Sequence, residues 1–303
     1  SINSDIPLAT QVSSYIVKSG GKRIRPTINI LIAKALGYRG NKLINLATAI
    51  ELFHTASLIH DDVVDQSDIR RGITSIHKKW GNAHGVLVGD FVYSKAFQLI
   101  ASLNNKEIIQ SLADSTNKIS EGEILQLNLQ NAKRIHEKDY FEIIERKTAE
   151  LFKASAHSAA LLTNAKKPLI KASSKFASSL GIAFQLKDDL LDYIGNQKET
   201  GKIIGKDYQE GKLTLPLIKA FELSNKEDFL FIERAFEARD PKRLKKVIKI
   251  ICESGATKEV QKISKKISSK CLEHLDKFPE TPYKESLRGI VLSINTRTKY
   301  FPF

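Results

Sequence analysis

Between residues 41 and 65 the apolar side chains Leu43, Leu46, Ile50, Phe53, Leu58 and Ile59 recur at the three-and-four spacing of one helix face, and no Pro or Gly interrupts them. The spacing predicts a long buried helix. Similar patterns cover about 83–103, 107–129, 139–162 and 169–193, with shorter ones from 215 onward, while the period-two alternation of strands is scarce. Gly20-Gly21, Pro26, Gly72, Gly81, Pro168, Gly201, Gly205, Gly211 and Pro216 fall largely between these segments. The pattern predicts an all-α protein built as one large helical bundle. With no repeat period and no low-complexity linker, residues 1–303 read as a single domain.

A chain of 303 residues with 42% hydrophobic content suffices for one large core. No apolar run approaches the ~18 residues of a membrane span, and the start lacks the charged and apolar regions of a signal peptide. A soluble, cytoplasmic protein is expected. Cys252 and Cys271 are the only cysteines and have no zinc-type spacing, which suits a reducing compartment. The 48 Lys and Arg against 34 Asp and Glu leave a net charge of +14, favouring anionic partners: diphosphates, acidic lipid or nucleic acid. Charge does not choose among them. The Lys-rich stretch 242–270 reads as solvated helix surface.

Two pentads narrow the choice. Asp61-Asp62-Val63-Val64-Asp65 and Asp188-Asp189-Leu190-Leu191-Asp192 each stand near the end of a predicted helix. At average composition two such pentads arise by chance in roughly one chain in five hundred. On a helix, positions i and i+4 share a face and i+1 lies about 100° round, so each pentad gathers three carboxylates within one turn. Such a cluster repels itself unless a cation sits there, and anionic groups near a helix C-terminus also oppose the helix dipole. Magnesium takes oxygen ligands, uses one or two carboxylates per ion and leaves positions for water and phosphate. Two facing clusters predict a diphosphate held between metal ions. His60-Asp61 also fits the centre of an HD-type phosphohydrolase, a reading that leaves the second pentad without a role.

Gly20-Gly21-Lys22-Arg23-Ile24-Arg25-Pro26 joins two helical patterns, with Pro26 suited to the first position of the next helix and three cations beside free backbone N–H groups. Arg70-Arg71-Gly72 adds cations just beyond the first pentad. A nucleic-acid-binding or scaffold protein would explain the basic charge but not six clustered aspartates, so no nucleic-acid partner is expected.

Together GGKRIRP, LIHDDVVDQSDIRRG, the Lys147-Thr148 pair, FQLKDDLLDY and EGKLTLPL resemble, in this order, the trans-type polyprenyl synthetase family. The resemblance covers almost the whole chain and is strongest to the long-chain, octaprenyl-type members. It implies an isoprenoid-synthase-type fold, long antiparallel helices around a central cavity, in a homodimer that uses Mg2+. It implies successive condensation of isopentenyl diphosphate onto an allylic diphosphate such as geranyl or farnesyl diphosphate. The product would be a long-chain all-trans polyprenyl diphosphate for a quinone side chain, with a shorter geranylgeranyl or farnesyl product as the alternative. A long apolar product also implies transient membrane contact on release.

By position, the resemblance makes Asp61, Asp62 and Asp65 with Asp188 the ligands of metal and allylic diphosphate, Asp189 and Asp192 completing the second cluster. Arg70, Lys147, Thr148, Gln185, Lys202 and Lys212 would support that diphosphate, Lys147 and Lys202 acting with the aspartates in catalysis. Lys22, Arg25, His54 and Arg71 would bind isopentenyl diphosphate. Lys206 stands where relatives often carry Asp, and Leu213 replaces a frequent Pro. Product length is expected to depend on Ala56 and Ser57, small residues about 7.5 and 6 Å deeper in the helix than Asp61, with Phe53 about 12 Å down as a deeper constriction. Helical angles favour Ser57; the emphasis on Ala56 comes from the resemblance.

Overall fold

The structure, a computed structural model, describes residues 4–130, 132–195 and 204–296. The first part of the chain forms α1 (Pro7–Lys18), α2 (Ile24–Ala35), α3 (Lys42–Val64), α4 (Ile76–Trp80), α5 (Asn82–Ala101) and α6 (Lys106–Leu129). Then come α7 (Glu137–Ile144), α8 (Glu150–Leu162) and α9 (Lys167–Ile194), a π-helical turn, Glu145–Ala149, joining α7 to α8. The last part holds α10 (Lys206–Gln209), α11 (Leu215–Leu223), α12 (Lys226–Glu237), α13 (Leu244–Glu253), α14 (Ala256–Leu275) and α15 (Pro282–Thr296). Among the described residues the one sheet is a small antiparallel hairpin, β1 (Ile69–Arg70) with β2 (Ile73–Thr74), in which Arg70 pairs with Ile73.

The long predicted helices form within about two residues of their expected ends, because apolar periodicity records which face meets the core. α3 goes further than one face. Leu46, Ile50, Phe53, Ala56 and Ile59, and also Ala47, Ala49 and Leu52, are buried, since α2, α5 and α8 pack round it. Two expectations change in detail. The continuous pattern over 139–162 is broken by the π turn, and α2 begins at Ile24, which makes Pro26 its third residue. Its missing N–H still falls among the four that a helix start leaves without internal partners.

The apolar interior forms two clusters linked by α9. Phe176, Ala177, Leu180 and Ala183 lie in the first, beside α2, α3, α5 and α8, while Leu186, Leu190 and Tyr193 lie in the second, beside α11 to α14. α9 therefore leaves the first core just where its aspartates begin. Phe152 and Phe176 are fully buried, and burial of such a side chain stabilises the fold by roughly 1.5–3 kcal/mol. Among the described residues no helix is long and apolar enough to cross a membrane.

Candidate active site

A cavity of about 560 Å³ opens between the start of α2, the end of α3, the β1–β2 hairpin, α6, the π turn and α9. Asp61 from α3 and Asp188 from α9 line it, each heading its pentad. Lys22, Arg25, His54, Arg70, Arg71, Lys147, Thr148 and Gln185 share its wall, residues drawn from five separate stretches of chain. Lys147, Thr148 and Gln185 also line a smaller cavity of about 140 Å³, which adds Tyr140, Asp189, Asp207, Lys212 and Leu213. Lys202 lies outside the described residues.

The pentads do not present all their carboxylates to the larger cavity, contrary to the simple helical reading. Asp62 is buried and accepts from Arg70, at 2.7 Å from Nε and 2.5 Å from Nη2. Asp65 accepts from Lys212 Nζ at 2.7 Å. Burial raises its pKa, but Lys212, helped by the charges of Lys147 and Lys206, outweighs burial and holds the carboxyl below its usual range. Asp189 accepts from Tyr140 Oη at 2.5 Å and Gln185 Nε2 at 2.6 Å, and burial, partly offset by these donors, pushes its pKa up to about 7. Asp192 accepts from the backbone N–H groups of Lys206 and Asp207, at 3.2 and 3.0 Å, and so ties α10 to the end of α9.

Among the described residues no three His, Cys, Asp or Glu side chains form a ready metal cage. This donor set fits magnesium all the same. Asp61 and Asp188 offer oxygen alone, one or two carboxylates are the normal protein share for that ion, and the cations round them suit the phosphates that complete its shell. Calcium would accept the same donors at longer distances.

The cationic wall is built with buried support. Arg71 and Gly72, both at positive φ, turn the hairpin and place Arg70 and Arg71 at the cavity. Arg71 donates to the Gly20 carbonyl, joining the hairpin to the loop before α2. Arg25 stacks 4.5 Å from the Phe152 ring centroid, and its Nη1 lies 3.2 Å from His54 Nε2. Burial, then the charges of Arg25, Arg71, Arg70 and Arg23, hold the His54 imidazole well below its usual range.

Three acidic residues escaped the sequence reading. Glu51, buried, meets Arg23 Nη1 at 2.9 Å; burial raises its pKa against the pull of the surrounding arginines. Glu123 takes Lys147 Nζ at 2.6 Å. Asp207 joins the aspartates of α9, and burial first, then Asp192 and Asp189, drives its pKa well up. Glu51 was within reach: with His54, Leu58 and Asp61 it makes one helical face. Nothing local marks Glu123 or Asp207. Of the residues linked to product length, Ser57 lines the cavity, while Ala56 is fully buried in the first core. Phe53 is edge-on to Tyr93 and Phe97, both at 5.0 Å. Lys206 meets Glu210 at 3.0 Å, and Leu213 closes part of the smaller cavity.

A family model described as "Polyprenyl synthetase" matches residues 6–253. The chain is 42% identical over 287 residues to the octaprenyl diphosphate synthase of Haemophilus influenzae, covering 94% of this chain and 87% of that protein. It is 39% identical over 290 residues to an all-trans-nonaprenyl-diphosphate synthase (geranyl-diphosphate specific) of Rhodobacter capsulatus, covering 94% and 88%. Its fold superposes with a TM-score of 0.94, at 35% identity, on a polyprenyl synthase of Caulobacter crescentus complexed with calcium and isoprenyl diphosphate, covering 98% and 91% of the two chains.

Proposed function

This chain belongs to the polyprenyl synthetase family and has its all-α, isoprenoid-synthase fold, and we propose that it makes a long-chain all-trans polyprenyl diphosphate by adding isopentenyl diphosphate units to an allylic diphosphate. The observation that carries this reading is the meeting of Asp61 and Asp188 with Lys22, Arg25, Arg70, Arg71 and Lys147 in one cavity. Carboxylates alone would suit a cation and cations alone an anion. Side by side they suit a metal diphosphate.

Arg70, Lys147, Thr148, Gln185 and Lys212 hold the allylic diphosphate and offset the charge that grows on it as its bond to carbon breaks. Lys22, Arg25, His54 and Arg71 hold the second diphosphate so that the isopentenyl double bond faces the allylic carbon. Its π electrons form the new carbon–carbon bond, and a proton then passes from the resulting cation to the released diphosphate, restoring a double bond. Asp61, Asp62, Asp65 and Asp188, with Asp189 and Asp192, would hold magnesium, which when bound supplies Lewis-acid charge at the departing diphosphate. Such ligation competes with Arg70 and Lys212, which each engage one oxygen of Asp62 and Asp65.

A product beyond twenty carbons follows the octaprenyl and nonaprenyl relatives, and the small Ser57 on the cavity wall accords with it. Exposed Val86 and Leu87 on α5 and Ile124 and Leu127 on α6 support a homodimer. Release of so apolar a product, at ~0.8 kcal/mol per carbon group, favours transient membrane contact.

The test is incorporation of labelled isopentenyl diphosphate with geranyl or farnesyl diphosphate as primer, with and without magnesium, followed by sizing of the dephosphorylated products. Metal-dependent formation of chains beyond twenty carbons is expected. No incorporation with any primer, beside a salt-sensitive shift of DNA, would favour the nucleic-acid-binding alternative.

A further inference from the structure

The π turn Glu145–Ala149 carries Lys147 and Thr148, two of the three residues that line both cavities. A π turn holds one residue more than a regular helix and cannot be placed by helical geometry alone. Here two helices pack closely against it. On α6, a Cβ on Gly122 would lie 2.7 Å from Arg146 Cβ and 2.9 Å from the Lys147 backbone nitrogen. On α9, a Cβ on Gly181 would lie 2.7 Å from Ala149 Cα and 3.0 Å from its Cβ. Contacts this short force the turn or the helix that faces it to shift.

Both glycines are buried inside helices, where Ala is the better helix former, so their use is close approach. Each also stands near a polar partner of the turn. Glu123, next to Gly122, takes Lys147 Nζ at 2.6 Å, and Gln185, one turn after Gly181, accepts from Thr148 Oγ1 at 2.9 Å. The same two helices thus hold the backbone of the turn and the side chains it presents.

We infer that Gly122 and Gly181 are positioning residues that set where Lys147 and Thr148 meet the diphosphate. The inference rests on reading the cavity as a diphosphate site. Its test is calorimetric binding of inorganic diphosphate with magnesium, alongside kinetics with both substrates. Gly122→Ala and Gly181→Ala should each weaken diphosphate binding about ten-fold and lower kcat by up to about a hundred-fold, leaving the KM for isopentenyl diphosphate within about two-fold. In a Lys147→Ala/Thr148→Ala background the same changes should cost less than about two-fold, because the groups they displace are gone. Equal losses in both backgrounds, or no loss in either, would overturn the inference. So would a glycine variant that circular dichroism shows unfolded in both backgrounds, since that glycine would then serve the fold at large. A wild type that binds the metal diphosphate without turnover would sink the proposed reaction and leave this test intact; one that binds none would sink both.

Discussion

Lys212 Nζ lies 2.7 Å from Asp65 Oδ2, joining the loop before α11 to the end of the first aspartate pentad. The same ammonium lies 2.9 Å from Glu210 Oε2, and burial of the lysine is outweighed by the two carboxylates, which raise its pKa. A cation suited to diphosphate is thus seated on a carboxylate suited to metal, as Arg70 is seated on Asp62. Charge that would repel itself in an open cluster is neutralised within the protein.

Lys212 engages one oxygen of Asp65, and its ammonium repels a cation that approaches the carboxylate. In Lys212→Gln, magnesium without diphosphate should bind about five-fold more tightly, roughly 1 kcal/mol, while turnover falls about ten-fold because the diphosphate loses a cation. Calorimetry and steady-state rates separate the two effects. Weaker metal binding in the variant would contradict this repulsion.

Asp61 and Asp188 line the larger cavity, where the proposed function makes them metal ligands. Asp61→Ala or Asp188→Ala should lower turnover by about three orders of magnitude, roughly 4 kcal/mol of transition-state stabilisation, with helical content unchanged. Wild-type rates in both variants under saturating magnesium would remove the assignment.

His54 gives the fold a pH dependence. Its pKa is lowered on folding, so between the folded value and the ordinary ~6.5 the unfolded chain binds a proton that the folded chain refuses. The contribution of His54 is therefore full above about pH 6.5 and is lost below it, by at most about 1.4 kcal/mol per pH unit, until the folded imidazole titrates, while Asp189, Asp207 and Glu51, whose pKa values rise on folding, act in the opposite sense. His157 and His274 are also lowered and add to the trend of His54. Urea unfolding of wild type and His54→Asn from pH 7.5 to 5.5 should show a shallower slope in the variant; parallel slopes would exclude His54 as a source.

Ser57 and Ala56 make different demands on a phenylalanine. Ser57→Phe projects into the cavity and should shorten the product with little loss of stability, whereas Ala56→Phe overpacks a fully buried position and should also cost about 1–3 kcal/mol. Product chromatography together with thermal melts reads both. Unchanged product length in both variants would show that the growing chain runs elsewhere.

What the sequence determined by itself is what repeats locally. α3, α5, α6 and α9 were legible because burial of a helix face imposes a 3.6-residue period on the chain, and the pentads were legible because three carboxylates in one helical turn have a cost that demands a partner. The cations of 20–26 and 70–72 announced the partner's sign. The tertiary structure decided which carboxylate meets which cation, since a Coulomb partner is chosen by distance in space and leaves no period in the chain. Hence Asp62 on Arg70, Asp65 on Lys212, Asp189 under Tyr140 and Glu123 on Lys147 could not be read beforehand. The hairpin strands of two residues each are too short to show alternation, and the π turn hides in 139–162 because one extra residue barely disturbs an apolar pattern. Its seat between Gly122 and Gly181 depends on how closely α6 and α9 approach it, a relation between helices that no single stretch of sequence contains.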